Sequence, residues 1–323
     1  MQKGFKCFIG ALIALPMAAM LAATAIAQSY PAKPITYIYP FPPGGPSETP
    51  LRAAVTEASA MLGQPIVFEN RPGANSRLSV VAMRNAPADG YLIAAVIDGL
   101  LTSQPLLDPD FRFLPNRDYA PVALHVEATL RLMGPPSLPF KDIKSLVAYA
   151  KANPRKLNVA VTIGSSSHII AERIREAAGI DMTMIGYKGS SQSYVDLMAG
   201  RVDLVVGSDK ALVEAGKLVA FATTGRERWA GLPNVPSLTE SGIPVVASLW
   251  YGAIVHPNTP PEIVARLNSV FTAAVRTPVF TKKLETSAFP PMAPLSSEGM
   301  ASFIKSEMTM LEPIIRKAGI KME

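Results

Sequence analysis

Short apolar runs alternate with helical repeats from residue 35 onward. Ile35-Thr36-Tyr37-Ile38-Tyr39 is β-branched and aromatic and stops at Pro40, which predicts a strand. Leu92 to Ile97 reads LIAAVI, continuously apolar, as expected of a strand covered on both faces. Leu157 to Val161, Met182 to Ile185, Leu204 to Val206 and Val219 to Ala222 read similarly. Between them Ile143, Leu146, Val147 and Ala150 recur at helical spacing, as do Ile170, Ile174 and Ala177, and Ile263, Leu267, Val270 and Phe271. Such alternation predicts α/β layers with largely parallel sheets and right-handed crossovers. The tail, from about Pro260 to Ile320, is expected to be mostly helical, broken at Pro278 and around Pro290-Pro291.

Composition sharpens this picture. The 323 residues suggest about two domains, and 49% hydrophobic against 17% charged residues excludes global disorder. No flexible Gly/Ser linker separates the halves, so two domains would share crossovers around a cleft. Cys7 is the single cysteine, and His125, His168 and His256 show no ligand spacing. No metal, cofactor or disulfide framework is therefore expected, and each histidine reads as structural or surface. The formal charge of +6 is spread without a basic–aromatic stripe, which argues against nucleic acid as a partner.

Residues 1–27 have the parts of an export signal: Lys3 and Lys6, an apolar stretch from Phe8 to Ala25, and the A-x-A site Ala25-Ile26-Ala27. The rival reading is an uncleaved anchor. The polar Gln28-Ser29 favours cleavage, with the mature chain beginning near Gln28 in the periplasm or outside the cell.

Two loops carry the candidate chemistry. Phe41-Pro42-Pro43-Gly44-Gly45-Pro46-Ser47-Glu48 follows the first strand and opens a helix, where unpaired N–H groups and the helix dipole suit a carboxylate. Its plainer reading is a strand-to-helix turn capped by Ser47. Gly164-Ser165-Ser166-Ser167-His168 is a second donor-rich turn, and its plainer reading is a serine N-cap. Nucleophile catalysis is disfavoured, because no G-x-S-x-G elbow is present and His168 directly follows the serines. Tyr187-Lys188-Gly189-Ser190-Ser191 and Asn70-Arg71-Pro72-Gly73-Ala74-Asn75 also end strands, the edge at which open α/β sheets bind ligands. The set looks built to hold an anion without transforming it.

In this order the loops resemble the Bug-type periplasmic substrate-binding proteins of tripartite tricarboxylate transporters. The resemblance rests on YPAKPITYIYPFPPGGPSE (30–48), GQPIVFENRPGA (63–74), ADGY (88–91), IGSSSHIIAE (163–172), IGYKGSSQSYVDLMAGRVDL (185–204) and LPNVPSLTESGIP (232–244), and covers essentially the whole mature chain. It implies a two-lobed, Venus-flytrap (type II) α/β fold. Residues 28–126 plus 248–323 would form lobe 1 and residues 127–247 lobe 2. It also implies a monomeric, non-enzymatic receptor that offers a small carboxylate to membrane permease subunits.

Carried over by position, the first-lobe contacts are Phe41, Gly44, Gly45, Pro46, Ser47 and Glu48, with Ala74 nearby. Those of the second lobe are Ser165, Ser166, Ser167 and His168, with Tyr187 and Gly189 behind. Three departures stand out. Glu48 replaces the usual aspartate, Asn75-Ser76 replaces a glycine-rich ending, and Gly207 stands where an aspartate is common, after a shortened stretch beyond Asp203. The alternatives are a periplasmic hydrolase or isomerase on a similar scaffold, or a reporter of ligand occupancy to a membrane sensor.

Overall fold

A computed structural model describes residues 30–44, 47–73, 76–187, 190–284, 289 and 292–320. The signal segment 1–27, its cleavage site and the break at Pro290-Pro291 lie outside the described residues. Among the described residues, ten strands form two five-stranded sheets. In the first, β1 (Ile35–Tyr39), β2 (Ile66–Asn70), β3 (Leu92–Ile97), β4 (Ala120–Thr129) and β10 (Ser248–Val255) lie in the order β2-β1-β3-β10-β4. In the second, β5 (Arg131–Gly134), β6 (Asn158–Thr162), β7 (Thr183–Tyr187), β8 (Leu204–Gly207) and β9 (Val219–Thr223) lie in the order β7-β6-β8-β5-β9.

The sheets are mixed, and the reason is the crossing of the chain between them. β1, β2 and β3 are parallel, as are β6, β7 and β8. A strand entering a sheet from the edge facing the other lobe must run backwards. Arg131 opens β5 directly after β4 ends at Thr129, and β5 pairs antiparallel to β8 and β9. Ser248 opens β10 on the return, antiparallel to β3 and β4. β4 continues past residue 126 as one strand, so the change of sheet falls at Leu130.

Each sheet is covered on both faces. On the first, alternate residues of β3 divide the core. Ile93 and Ala95 pack with Leu51 and Val55 of the helix Glu48–Leu62, while Ala94 and Val96 pack with Met300 and Ile304 of the C-terminal helix Ser297–Ala318. On the second, Val159 and Val161 pack with Ile170 and Ile174 of the helix Ser166–Ala178, and Ala160 with Leu197 on the reverse side. The C-terminal helix then leaves the first sheet, and its Leu311 and Ile315 meet Ile169 of the second lobe. One helix thus straps both units. The tail adds the helices Pro261–Ala274 and Pro278–Leu284, the latter starting at the proline expected to interrupt the pattern.

Candidate functional site

The first loop is held by its own side chains. Glu48 accepts from the Gly44 N–H at 2.6 Å and from Arg52 Nε at 2.6 Å. Those contacts hold its carboxyl below the usual range, the Gly44 N–H being the larger cause. Arg52 also reaches Asn70 Oδ1 at 3.1 Å and lies over the Phe68 ring, while Asn70 Nδ2 donates to the Phe41 carbonyl at 3.1 Å. Gly44 adopts φ +87°, a conformation that a side chain would strain. Half-buried Phe41 stands edge-on to Tyr39 with ring centroids 5.2 Å apart. The longer Glu48 side chain therefore ties the loop to its helix.

Ser47 does not cap that helix, contrary to the plainer reading of the turn. Its backbone is already helical, at φ −83° and ψ −11°, and its buried hydroxyl lies 2.8 Å from the Tyr39 hydroxyl. It fastens the loop to the end of β1. Gly45, Pro46, Ala74 and Gly189 lie outside the described residues.

The serine turn is tightly organised. Ser165 is the N-cap, accepting from His168 N–H, and its Oγ is 2.8 Å from that of Ser167. His168 is buried, and its Nδ1 accepts the Gly164 N–H at 3.2 Å. Burial lowers its pKa, which keeps the ring neutral and turned towards the backbone. This arrangement positions the turn and supplies no base for a serine. Ser166 Oγ donates to Asp98 Oδ2 at 2.5 Å, bridging from the helix Ser166–Ala178 to the end of β3 in the other sheet. Ser103 makes a second bridge, Oγ to the Gly164 carbonyl at 3.2 Å. With the hydroxyls so engaged, the donors left for an anion are the first-turn N–H groups of Ser166 and Ser167.

Tyr187 closes β7, and its hydroxyl donates to Asp196 at 2.9 Å. Among the described residues, no hydrogen bond or ion pair joins the Phe41–Glu48 loop to Ser165–His168. The two loops stand at the carboxyl ends of β1 and β6 in different sheets.

Two groups at this edge carry no motif. Asp98 is buried, and its pKa is pushed up to about 7 by burial, with the Ser166 bond opposing. Its only sequence signal is an acid directly after the apolar run LIAAVI. Arg131 is fully buried at the first position of β5, beside Gly207. It donates to the carbonyls of Thr129 and Ser208 and packs over Trp229, and burial pulls its pKa down to about 10. Gly207 itself makes room for Tyr194, whose hydroxyl would lie 2.2 Å from an added Cβ. His125 is buried against Tyr37 and Phe271, away from both loops. No cluster of His, Cys, Asp and Glu suited to a metal occurs among the described residues.

The family described as "Tripartite tricarboxylate transporter family receptor" matches residues 51–320. Protein BugT of Bordetella pertussis is 30% identical over 309 residues, covering 94% of this chain and 94% of that protein. MatC of Rhodopseudomonas palustris, solved with bound malate, superposes with TM-score 0.75 at 27% identity, over 88% of this chain and 100% of MatC. An R. palustris protein solved with adipate gives TM-score 0.78 at 29% identity, over 90% of this chain and 99% of that protein. The fold is therefore the two-lobed α/β fold of periplasmic binding proteins, in a family of solute-binding receptors and not of enzymes. This chain belongs to the tripartite tricarboxylate transporter receptor family.

Proposed function

We propose that the protein is exported, cleaved after Ala27, and captures a small dicarboxylate between its two lobes for delivery to the permease subunits of a tripartite tricarboxylate transporter. The observation that carries this reading is the placement of the serine turn and the Gly44 loop. Each stands at a strand's carboxyl end, each opens a helix, and each sheet contributes one. A carboxylate leaving water needs replacement donors, and charge-assisted bonds from N–H groups at two helix N-termini supply them at roughly 1.5–3 kcal/mol each. Phe41, Gly44, Ser47 and Glu48 form one jaw, and Ser165 to His168 form the other. A ligand bridging the jaws favours closure by its differential affinity for the closed state. The lobes are residues 28–129 plus 248–323 and residues 131–247, hinged at Leu130. The malate and adipate held by the two solved relatives support this ligand class.

The test is to strip ligand by unfolding and refolding, then screen malate, adipate, citrate and glutamate by thermal shift and calorimetry. The expected result is a raised Tm and saturable binding of at least one diacid, recovered chemically unchanged. Binding of none, or conversion of a bound acid, overturns the proposal. Mass spectrometry of the exported protein checks the new terminus at Gln28.

A further inference from the structure

A cavity of about 420 Å³ lies where the crossing strands pass beneath the C-terminal helix. Glu127 and Thr129 of β4, Ser248 and Trp250 of β10, and Arg226 after β9 form its base. Ile170 and Arg173 of the serine helix form one side, and Phe303, Glu307 and Met310 of the C-terminal helix form the other. Of the described ligand residues proposed above, only Ser166 reaches it, where the Ser166–Asp98 bond forms part of the wall. The Phe41–Glu48 loop opens a helix on the opposite face of the first sheet from the C-terminal helix.

Among the described residues, three buried polar atoms of this lining have no hydrogen-bond partner: Asp98 Oδ1, Thr129 Oγ1 and Trp250 Nε1. Their needs are opposite. The indole N–H can only donate and so requires an acceptor, whereas an ionised Asp98 oxygen can only accept. Charges of both signs surround them, with Asp98, Glu127 and Glu307 on one hand and Arg173 and exposed Arg226 on the other. Glu127 already accepts from Ser248 Oγ at 2.9 Å, and Arg173 donates to the Val246 carbonyl at 3.0 Å. Glu307 and Asp98 are both raised by burial. The remaining wall is apolar, from Ile169, Ile170, Trp250, Phe303 and Leu311.

We propose that this interlobe cavity is a second small-molecule site that takes an α-amino acid with an apolar side chain. The ammonium group supplies donors to Asp98 and Glu307, and the carboxylate accepts from Trp250 Nε1 near the guanidinium groups. The hydrocarbon or aromatic body lies against Trp250 and Phe303. The volume suits a solute of this size, since small-molecule pockets start at about 300 Å³. Both lobes line the cavity, so an occupant bears on their relative position and on the cleft beyond the Ser166–Asp98 wall.

Trp250 makes the test direct, because Trp229 and Trp250 are the two tryptophans of the chain. In a Trp229→Phe background, L-phenylalanine is titrated while Trp250 emission and Tm are followed. Phenylpropionate, which lacks the ammonium, and phenethylamine, which lacks the carboxylate, are run beside it. The expected result is a saturable response to phenylalanine, with both analogues at least about tenfold weaker. Asp98→Asn and Glu307→Gln should each weaken phenylalanine about tenfold, and either one suffices should the other fail to fold. The proposal is overturned by no saturable response, by phenylpropionate binding as well as phenylalanine, or by unchanged midpoints in the folded variants. Repeating the titration with the cleft saturated by malate or adipate separates the sites. Persistence supports the second site, and competitive loss overturns it while leaving the cleft intact.

Discussion

Ser166 on one lobe donates its hydroxyl proton to Asp98 on the other, at 2.5 Å. An internal carboxylate therefore engages the turn proposed to receive a ligand's carboxylate. Burial raises the Asp98 pKa to about 7, Ser166 and the Gly99 N–H oppose it, and Glu307 adds to the rise. An ionised Asp98 repels an approaching dicarboxylate, and a protonated one does not. Asp98→Asn should tighten dicarboxylate binding at roughly pH 8 and match the wild type near pH 5.5, where Asp98 is already neutral. The same raised pKa predicts that Asp98 costs stability as pH climbs from about 4, its unfolded value, to about 7. Calorimetric titration at both pH values decides the matter. Equal affinity ratios at both would remove the electrostatic role.

Thr224 joins the crossing segments. Its Oγ1 accepts from Leu130 N–H at 2.9 Å and donates to the Ala247 carbonyl at 2.7 Å, within a fully buried setting. Both passages of the chain between the sheets thus meet at one hydroxyl. Thr224→Val preserves shape and strands both partners, and should cost about 2–4 kcal/mol in denaturant unfolding. Thr224→Ser keeps the hydroxyl and loses a methyl group, costing roughly 1 kcal/mol. If the valine variant is as stable as the serine variant, the hydroxyl does not hold the hinge.

Glu48 is predicted to act through the loop it fastens. Its lowered pKa means that the bonds to Gly44 and Arg52 are present at neutral pH and are lost only as pH falls through that depressed value. Glu48→Ala frees the Gly44 N–H and loosens the jaw, so dicarboxylate affinity should fall about tenfold with little change in Tm. Glu48→Gln, which can still accept from Gly44, should retain more of it. Calorimetry on both variants tests this ordering, and an alanine variant that binds as well as the wild type contradicts it.

What could be read from the sequence was local. LIAAVI and ITYIY are strands because uninterrupted apolar runs are satisfied by sheets covered on both faces, and both proved to be so. The crossing strands were harder. β4 reads APVALHVEAT, where His125 and Glu127 interrupt the apolar run, and β5 opens on Arg131. Glu127 borders a cavity and Arg131 is buried between Gly207 and Thr223 of the flanking strands, environments that no local spacing encodes. The serine turn stood out as a donor set, yet the commitment of Ser166 to Asp98 depends on a residue 68 positions away in another lobe.

His125 offers a measurement confined to the core. The ring is fully buried, 4.9 Å from Phe271 and 6.1 Å from Tyr37 between centroids, and among the described residues neither nitrogen has a partner. Burial pushes its pKa down to about 3. In the unfolded chain the same ring takes a proton below about pH 6.5. The unfolded state therefore binds more protons between those values, and stability falls as pH drops from about 6.5 towards 3. His125→Phe removes this contribution and leaves no unpartnered nitrogen in the aromatic cluster. The difference in unfolding free energy between variant and wild type should grow in the variant's favour by about 2 kcal/mol between pH 7.5 and pH 5. Parallel stability curves for the two proteins across that range would mean that His125 takes up its proton without leaving the core.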